Sequence, residues 1–140
     1  MVDAVRETVT RVELDELGRR LWATLSPGAV VWLTGELGSG KTALVQAIAL
    51  AAGAEHARSP TFALVHEYPS PAGLIIHADC FRLRQPDDAV DIDFADLQRR
   101  ARLLLIEWPE NAGTLAPPPD LHLSLAHDAD PDRRIVERVP

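Results

Sequence analysis

One stretch of the chain has the residue types and spacing to hold a triphosphate: Gly35-x-x-x-x-Gly40-Lys41-Thr42, in full GELGSGKT. Glycines at these positions let the backbone curl until its N–H groups converge on phosphate oxygens. A helix starting at Lys41 adds its positive end to the same point. The lysine supplies a mobile charge to the β- and γ-oxygens, and the Thr42 hydroxyl can ligate a bridging Mg²⁺. The spacing alone arises by chance in on the order of one chain in a few hundred of this length. A strand before it and a helix after it give it meaning.

Such a site also needs a carboxylate at the tip of a neighbouring strand, to hold the metal or its water shell. Two acids qualify. Asp79 ends the run LIIHAD, and Glu107 ends LLLIE. Each lies at the C-terminal end of an apolar strand, the edge where open α/β sheets bind ligands. One could position a water for attack on the γ-phosphate while the other serves the metal, and the residues leave that assignment open. Lys41, Asp79 and Glu107 form the expected catalytic set. Glu36, inside the loop, is expected to point to solvent. His77 is expected to face away from Asp79 and to serve as a packed structural histidine. Cys80 lacks an activating neighbour pattern and reads as a packing residue.

The surrounding elements must position these groups. Val5–Val12 reads as a first strand, and Leu14, Leu17, Leu21, Trp22 and Leu25 recur at helical spacing up to Ser26–Pro27–Gly28. Ala29–Thr34 is a short strand buried on both faces. Leu44, Val45, Ile48 and Ala49 mark a helix that stops at Gly53. Phe62–Tyr68 and Leu74–Ala78, joined by PSPAG, predict an antiparallel hairpin. Pro86–Arg102 is expected to be mostly helical, and Leu103–Ile106 to be a strand. Leu121–Ala126 and Arg134–Val139 are two more strands joined by a polar turn. The fold class is α/β: one P-loop NTPase domain over residues 1–140, three-layered, with a central mixed parallel and antiparallel sheet flanked by helices.

Composition sets the outer limits. At 140 residues, with 46% hydrophobic and 25% charged residues, the chain suits one globular domain. No apolar run reaches bilayer length, so no membrane partner is expected. The N-terminus lacks the pattern of a secretory signal, and a single cysteine has no internal disulfide partner. A cytoplasmic protein, monomeric when isolated, is expected. The net charge of −7 opposes broad binding to a nucleic-acid backbone. The arginine clusters at Arg19–Arg20, Arg99–Arg102 and Arg133–Arg134 sit among acids and read as solvated faces.

Four segments together resemble the TsaE (YjeE) family, the ATPase of bacterial tRNA threonylcarbamoyladenosine (t6A) synthesis. They are GELGSGKT at Gly35–Thr42, SPTFALVHEY at Ser59–Tyr68, HADCFRL at His77–Leu83 and IEWPE at Ile106–Glu110. The resemblance implies ATP and Mg²⁺ as ligands, with Thr42 and Glu107 on the metal. Glu36, Leu37, Gly38, Ser39, Gly40, Lys41, Thr42 and Ala43 would surround the phosphates. It implies that Asp79 is an essential acid near the γ-phosphate, that Thr61 lies in a switch-like loop, and that Trp108 adjoins the nucleotide. It also implies partners, the TsaD and TsaB proteins, which transfer the threonylcarbamoyl group to tRNA. Contact of this chain with tRNA would then be indirect. The chain departs from the family's usual pattern at Glu36, Ala43, His66 and Cys80–Phe81, none of which removes a phosphate or metal group. Two other functions compete: a small-molecule kinase, for which Gln85–Arg102 would be a short and acidic lid, and a nucleotide-binding adaptor without turnover.

Overall fold

The computed structural model describes residues 6–55 and 64–140. Seven strands form one sheet in the order β1-β7-β6-β2-β5-β4-β3. They are β1 (Arg6–Thr10), β2 (Ala29–Thr34), β3 (Val65–Ser70), β4 (Gly73–Asp79), β5 (Ala101–Glu107), β6 (Leu121–His127) and β7 (Arg133–Arg138). Strands β6, β2, β5 and β4 are parallel neighbours, while β1·β7, β7·β6 and β3·β4 are antiparallel. The sheet is therefore mixed, with a parallel centre and a hairpin at each side.

The central strands are near-continuous apolar runs because both faces are covered. One face carries α1 (Arg11–Thr24) and α2 (Lys41–Ala51) over a core that includes Leu17, Leu21, Leu33, Leu44, Ile48, Leu103 and Leu105. The other carries α3 (Phe94–Arg100) and two 3₁₀ turns, Pro86–Ala89 and Pro109–Leu115, over Val30, Ile76, Cys80, Leu104 and Ile106. Helix α1 opens on a reciprocal cap between Thr10 and Glu13. It then packs on α2 at Gly18, where a β-carbon would stand 2.6 Å from Ala47 Cβ. Only a residue without a side chain allows the two helices to meet so closely.

Two expectations need correction. Residues 86–102 do not form one helix. Asp88 caps a short 3₁₀ turn by accepting from the Arg84 and Gln85 amides. A separate helix then begins under the Asp93 cap. Ala101 and Arg102 join β5, drawn into the sheet by the apolar run that follows them. In the hairpin, β3 extends through Pro69 and Ser70, which PSPAG had assigned to the connection, and the turn is only Pro71–Ala72. Pro69 is tolerated there because β3 is an edge strand. Ser70 closes the turn by donating to Gly73 O at 2.6 Å and accepting from the Ala72 amide. Val5, at the start of the first predicted strand, lies outside the described residues, as do Phe62 and Ala63 of the third. The arginine clusters sit among acids, as expected: Arg20 pairs with Glu7, Arg100 with Glu67 and Asp96, and Arg133 with Asp130.

Candidate functional site

The parallel strands β2, β4 and β5 end side by side, and their last residues set the site. Asp79 pairs in register with Glu107, and Glu107 with Leu33, one residue before the end of β2. Side chains alternate across a sheet, so Ile75, His77 and Asp79 share one face of β4, and Leu103, Leu105 and Glu107 share one face of β5. That is the face beneath α2, whose first residues are Lys41 and Thr42. His77 therefore lies on the same side as Asp79, not opposite it: a step of two along a strand returns to the starting face.

Between β2 and α2 the loop Gly35–Gly40 bends tightly. Gly35 has φ of +139°, and a β-carbon there would stand 2.0 Å from Leu125 O and 2.9 Å from Ser39 Oγ. Neither the dihedral nor the space admits a side chain. The N-cap of α2 is Gly40, which has no side chain to cap the first turn. The amides at the start of α2 are thus served by no capping group, as an anion site requires. Ser39 is fully buried and Glu36 is exposed, the latter as its position in the loop predicted.

Lys41 is 4% exposed, and its Nζ donates to Gly35 O at 2.5 Å and Glu36 O at 2.8 Å. The ammonium also sits 4.6 Å from the centre of the Trp108 ring. Burial lowers the Lys41 pKa, against the opposing pull of Glu107, Asp79 and Glu110. The Thr42 hydroxyl donates to Glu107, 3.0 Å from Oε2 and 3.3 Å from Oε1. Glu107 is 3% exposed, and His77 Nε2 approaches its Oε2 to 2.5 Å. Burial pushes the Glu107 carboxyl up, but His77, the Thr42 hydroxyl and Lys41 together hold it below its ordinary value. Asp79 accepts from the Phe81 amide at 3.1 Å and keeps its place at the strand tip.

These groups line a cleft of about 770 Å³, among them Lys41, Thr42, Asp79, Glu107 and Trp108. The cleft runs from the strand tips past Leu37 and Gly38 to Thr10, Arg11 and Arg134. Its volume is in the range of small-molecule and cofactor sites. Of the residues named from sequence, Gly38, Gly40, Lys41, Thr42, Ala43, Leu37, Asp79, Glu107 and Trp108 come together there. Thr61 lies outside the described residues. Arg82 is exposed. Cys80 is fully buried on the opposite face, where burial pushes its thiol to about 12. It packs, and it is no nucleophile.

One contributor escaped the sequence reading. The β6–β7 hairpin braces the outside of the loop: His127 Nε2 lies 3.0 Å from Leu37 O, and Arg134 Nε donates to Gly38 O at 3.2 Å. Both come from about ninety positions away, and nothing in local spacing announces them. Trp108 holds φ of +56°, the left-handed region that a large side chain rarely enters. That bend turns the chain out of β5 and lays the indole beside Lys41 and Phe81. The following Pro109 begins the next 3₁₀ turn.

The fold has a solved counterpart: Bacillus subtilis YdiB superposes with a TM-score of 0.76 over 99% of this chain and 87% of that one, at 23% sequence identity. Among curated proteins, the tRNA threonylcarbamoyladenosine biosynthesis protein TsaE of Rickettsia bellii is 33% identical over 88% of this chain and 85% of its own. The protein of the same name from Haemophilus influenzae is 32% identical over 79% of this chain and 69% of its own. That from Streptomyces coelicolor is 37% identical over 68% and 66%. The family profile described as threonylcarbamoyl adenosine biosynthesis protein TsaE matches residues 8–135. With its loop, strand-tip acids and sheet order, the chain belongs to the TsaE family.

Proposed function

We propose that this chain, acting as one P-loop domain, binds ATP with Mg²⁺ and hydrolyses it as the ATPase of tRNA t6A synthesis, alongside TsaD and TsaB in the cytoplasm. The observation that carries the reading is the meeting of the Thr42 hydroxyl with the Glu107 carboxylate at 3.0 Å, beside Lys41 in the cleft. A hydroxyl and a carboxylate held in its ionised form are hard oxygen donors. One or two such groups, completed by phosphate oxygens and water, suit Mg²⁺. Thr42 and Glu107 would hold the ion, which would supply charge neutralisation between the β- and γ-phosphates.

The chain's own residues do the rest. The loop amides from Glu36 to Ala43 gather the phosphates. Lys41 turns from the Gly35 and Glu36 carbonyls, themselves part of that loop, toward the phosphate oxygens. Asp79 and Glu107, adjacent in register, are the two carboxylates available to orient an attacking water. Trp108 closes the side of the cleft. The Thr61 segment is proposed as a partner-dependent switch, and tRNA is proposed to be reached through the partners.

A kinase reading finds less support. In the segment proposed as a lid, Ala89, Ile92, Phe94 and Leu97 are buried in the core beneath the sheet. No helix of the described residues is long and apolar enough to cross a membrane. The test is ATP hydrolysis by the purified chain with and without TsaB and TsaD, for wild type, Lys41→Ala and Glu107→Ala. Hydrolysis stimulated by the partners and lost in both variants is expected. Undiminished hydrolysis in either variant overturns the site; phosphate transfer to a nucleoside instead of water would point to a kinase; binding without turnover would point to an adaptor.

A further inference from the structure

Beneath the Thr42–Glu107 pair lies a group that the proposed reaction does not use. His77 is 3% exposed and does not line the cleft, so it meets neither nucleotide nor water there. Its Nε2 is 2.5 Å from Glu107 Oε2, the same oxygen that takes the shorter bond from the Thr42 hydroxyl. Nε2 completes no hydrogen bond of good geometry among the described residues, and the Glu107 carboxylate is the polar group that stands against it. A buried ring nitrogen costs free energy unless something satisfies it. Glu107 is the group within its reach.

The ring cannot swing away. Its far side stacks on His66 of the edge strand, with centroids 5.6 Å apart and planes at 25°. Its strand is fixed in register against β5, where His77 lies beside Leu105, two residues before Glu107. A glutamate carboxylate otherwise rotates broadly about its last bond. Here the Thr42 hydroxyl, within reach of both oxygens, and the imidazole against Oε2 together confine it.

We infer that His77 is a positioning residue, which fixes the orientation of the Glu107 carboxylate so that it meets Thr42 as a preformed pair of metal ligands. The inference rests on the magnesium site proposed above. Outer partners of this kind typically set metal affinity by about 10- to 100-fold. A role in packing alone would instead alter stability and all nucleotide binding together.

The test measures the affinity of the full chain for a fluorescent ADP, once with Mg²⁺ and once with a chelator, for wild type, His77→Leu and His77→Gln, with thermal unfolding of each. Glutamine keeps an N–H at similar reach without the ring. His77→Leu should bind metal-free ADP within about twofold of wild type yet lose about tenfold or more of the tightening given by Mg²⁺. His77→Gln should recover most of it. Full Mg²⁺ tightening in His77→Leu overturns the inference, as does an equal loss with and without the ion. Should His77→Leu fail to fold, His77→Asn, too short to reach Glu107, takes its place with the same expected loss. If wild type itself shows no tightening by Mg²⁺, the metal site falls, and the role of His77 with it.

Discussion

The ammonium of Lys41 lies 4.6 Å from the centre of the Trp108 ring, across the mouth of the phosphate loop. The indole stands there because residue 108 takes a left-handed backbone conformation as β5 ends. In the proposed nucleotide complex Lys41 would turn toward phosphate oxygens, which would change the charge over the ring. Addition of ADP should therefore change the intrinsic tryptophan fluorescence of the wild type, and Trp108→Phe should abolish that change while Trp22 and Trp32 continue to emit. A full response in the variant would place the signal elsewhere.

Gly35 is the least replaceable residue of the loop. An alanine there would need a dihedral of +139° and would place its β-carbon 2.0 Å from Leu125 O. Overpacking against backbone costs about 1–3 kcal/mol, with further strain from the dihedral. Gly35→Ala should lower the denaturation midpoint by an amount equivalent to about 2 kcal/mol or more and weaken ADP binding strongly. A variant with unchanged midpoint and affinity would contradict the geometry.

Glu107 predicts an acid limb. Burial raises its carboxyl pKa, and the contacts with His77, Thr42 and Lys41 outweigh burial, leaving it below the ordinary 4.5. A folded-state value below the unfolded one contributes stability above pH 4.5 that is lost as the pH falls through the folded value. In metal-free buffer, the stability of wild type relative to Glu107→Gln should thus shrink as the pH drops below 4.5. Denaturant titrations of both across that range measure it. A difference that is constant or widens toward acid would reverse the sign.

Cys80 should behave as an inert thiol. It is fully buried, and burial holds its pKa at about 12, with the charges of Asp79, Glu110 and Glu107 adding to the effect. At pH 8 the native protein should not react with a thiol-specific disulfide reagent on the timescale of minutes, whereas one thiol should appear on unfolding in denaturant. Prompt native reaction would mean that this core opens readily.

Much of the site was legible because its parts are local. GELGSGKT carries its own strand and helix, and LLLIE and LIIHAD each bring an acid to a strand tip by apolar run length alone. Fold class followed from the same runs. What escaped was set by distance or by tertiary override. The bracing of the loop by His127 and Arg134 depends on how β6 and β7 return beside β2, which no spacing near the loop encodes. The facing of His77 follows from strand alternation, since residues 77 and 79 differ by two and so share a face. The break in residues 86–102 turned on the caps at Asp88 and Asp93, which outweighed the broad helical tendency.

The bracing hairpin has a consequence for the order in which the chain matures. Gly35 is shaped against Leu125, and the turn after it is tied by His127 and Arg134, so the outer wall of the loop exists only once residues 125–134 are in place beside it. A nascent or prematurely ended polypeptide carries the whole glycine-rich stretch but lacks its outer wall.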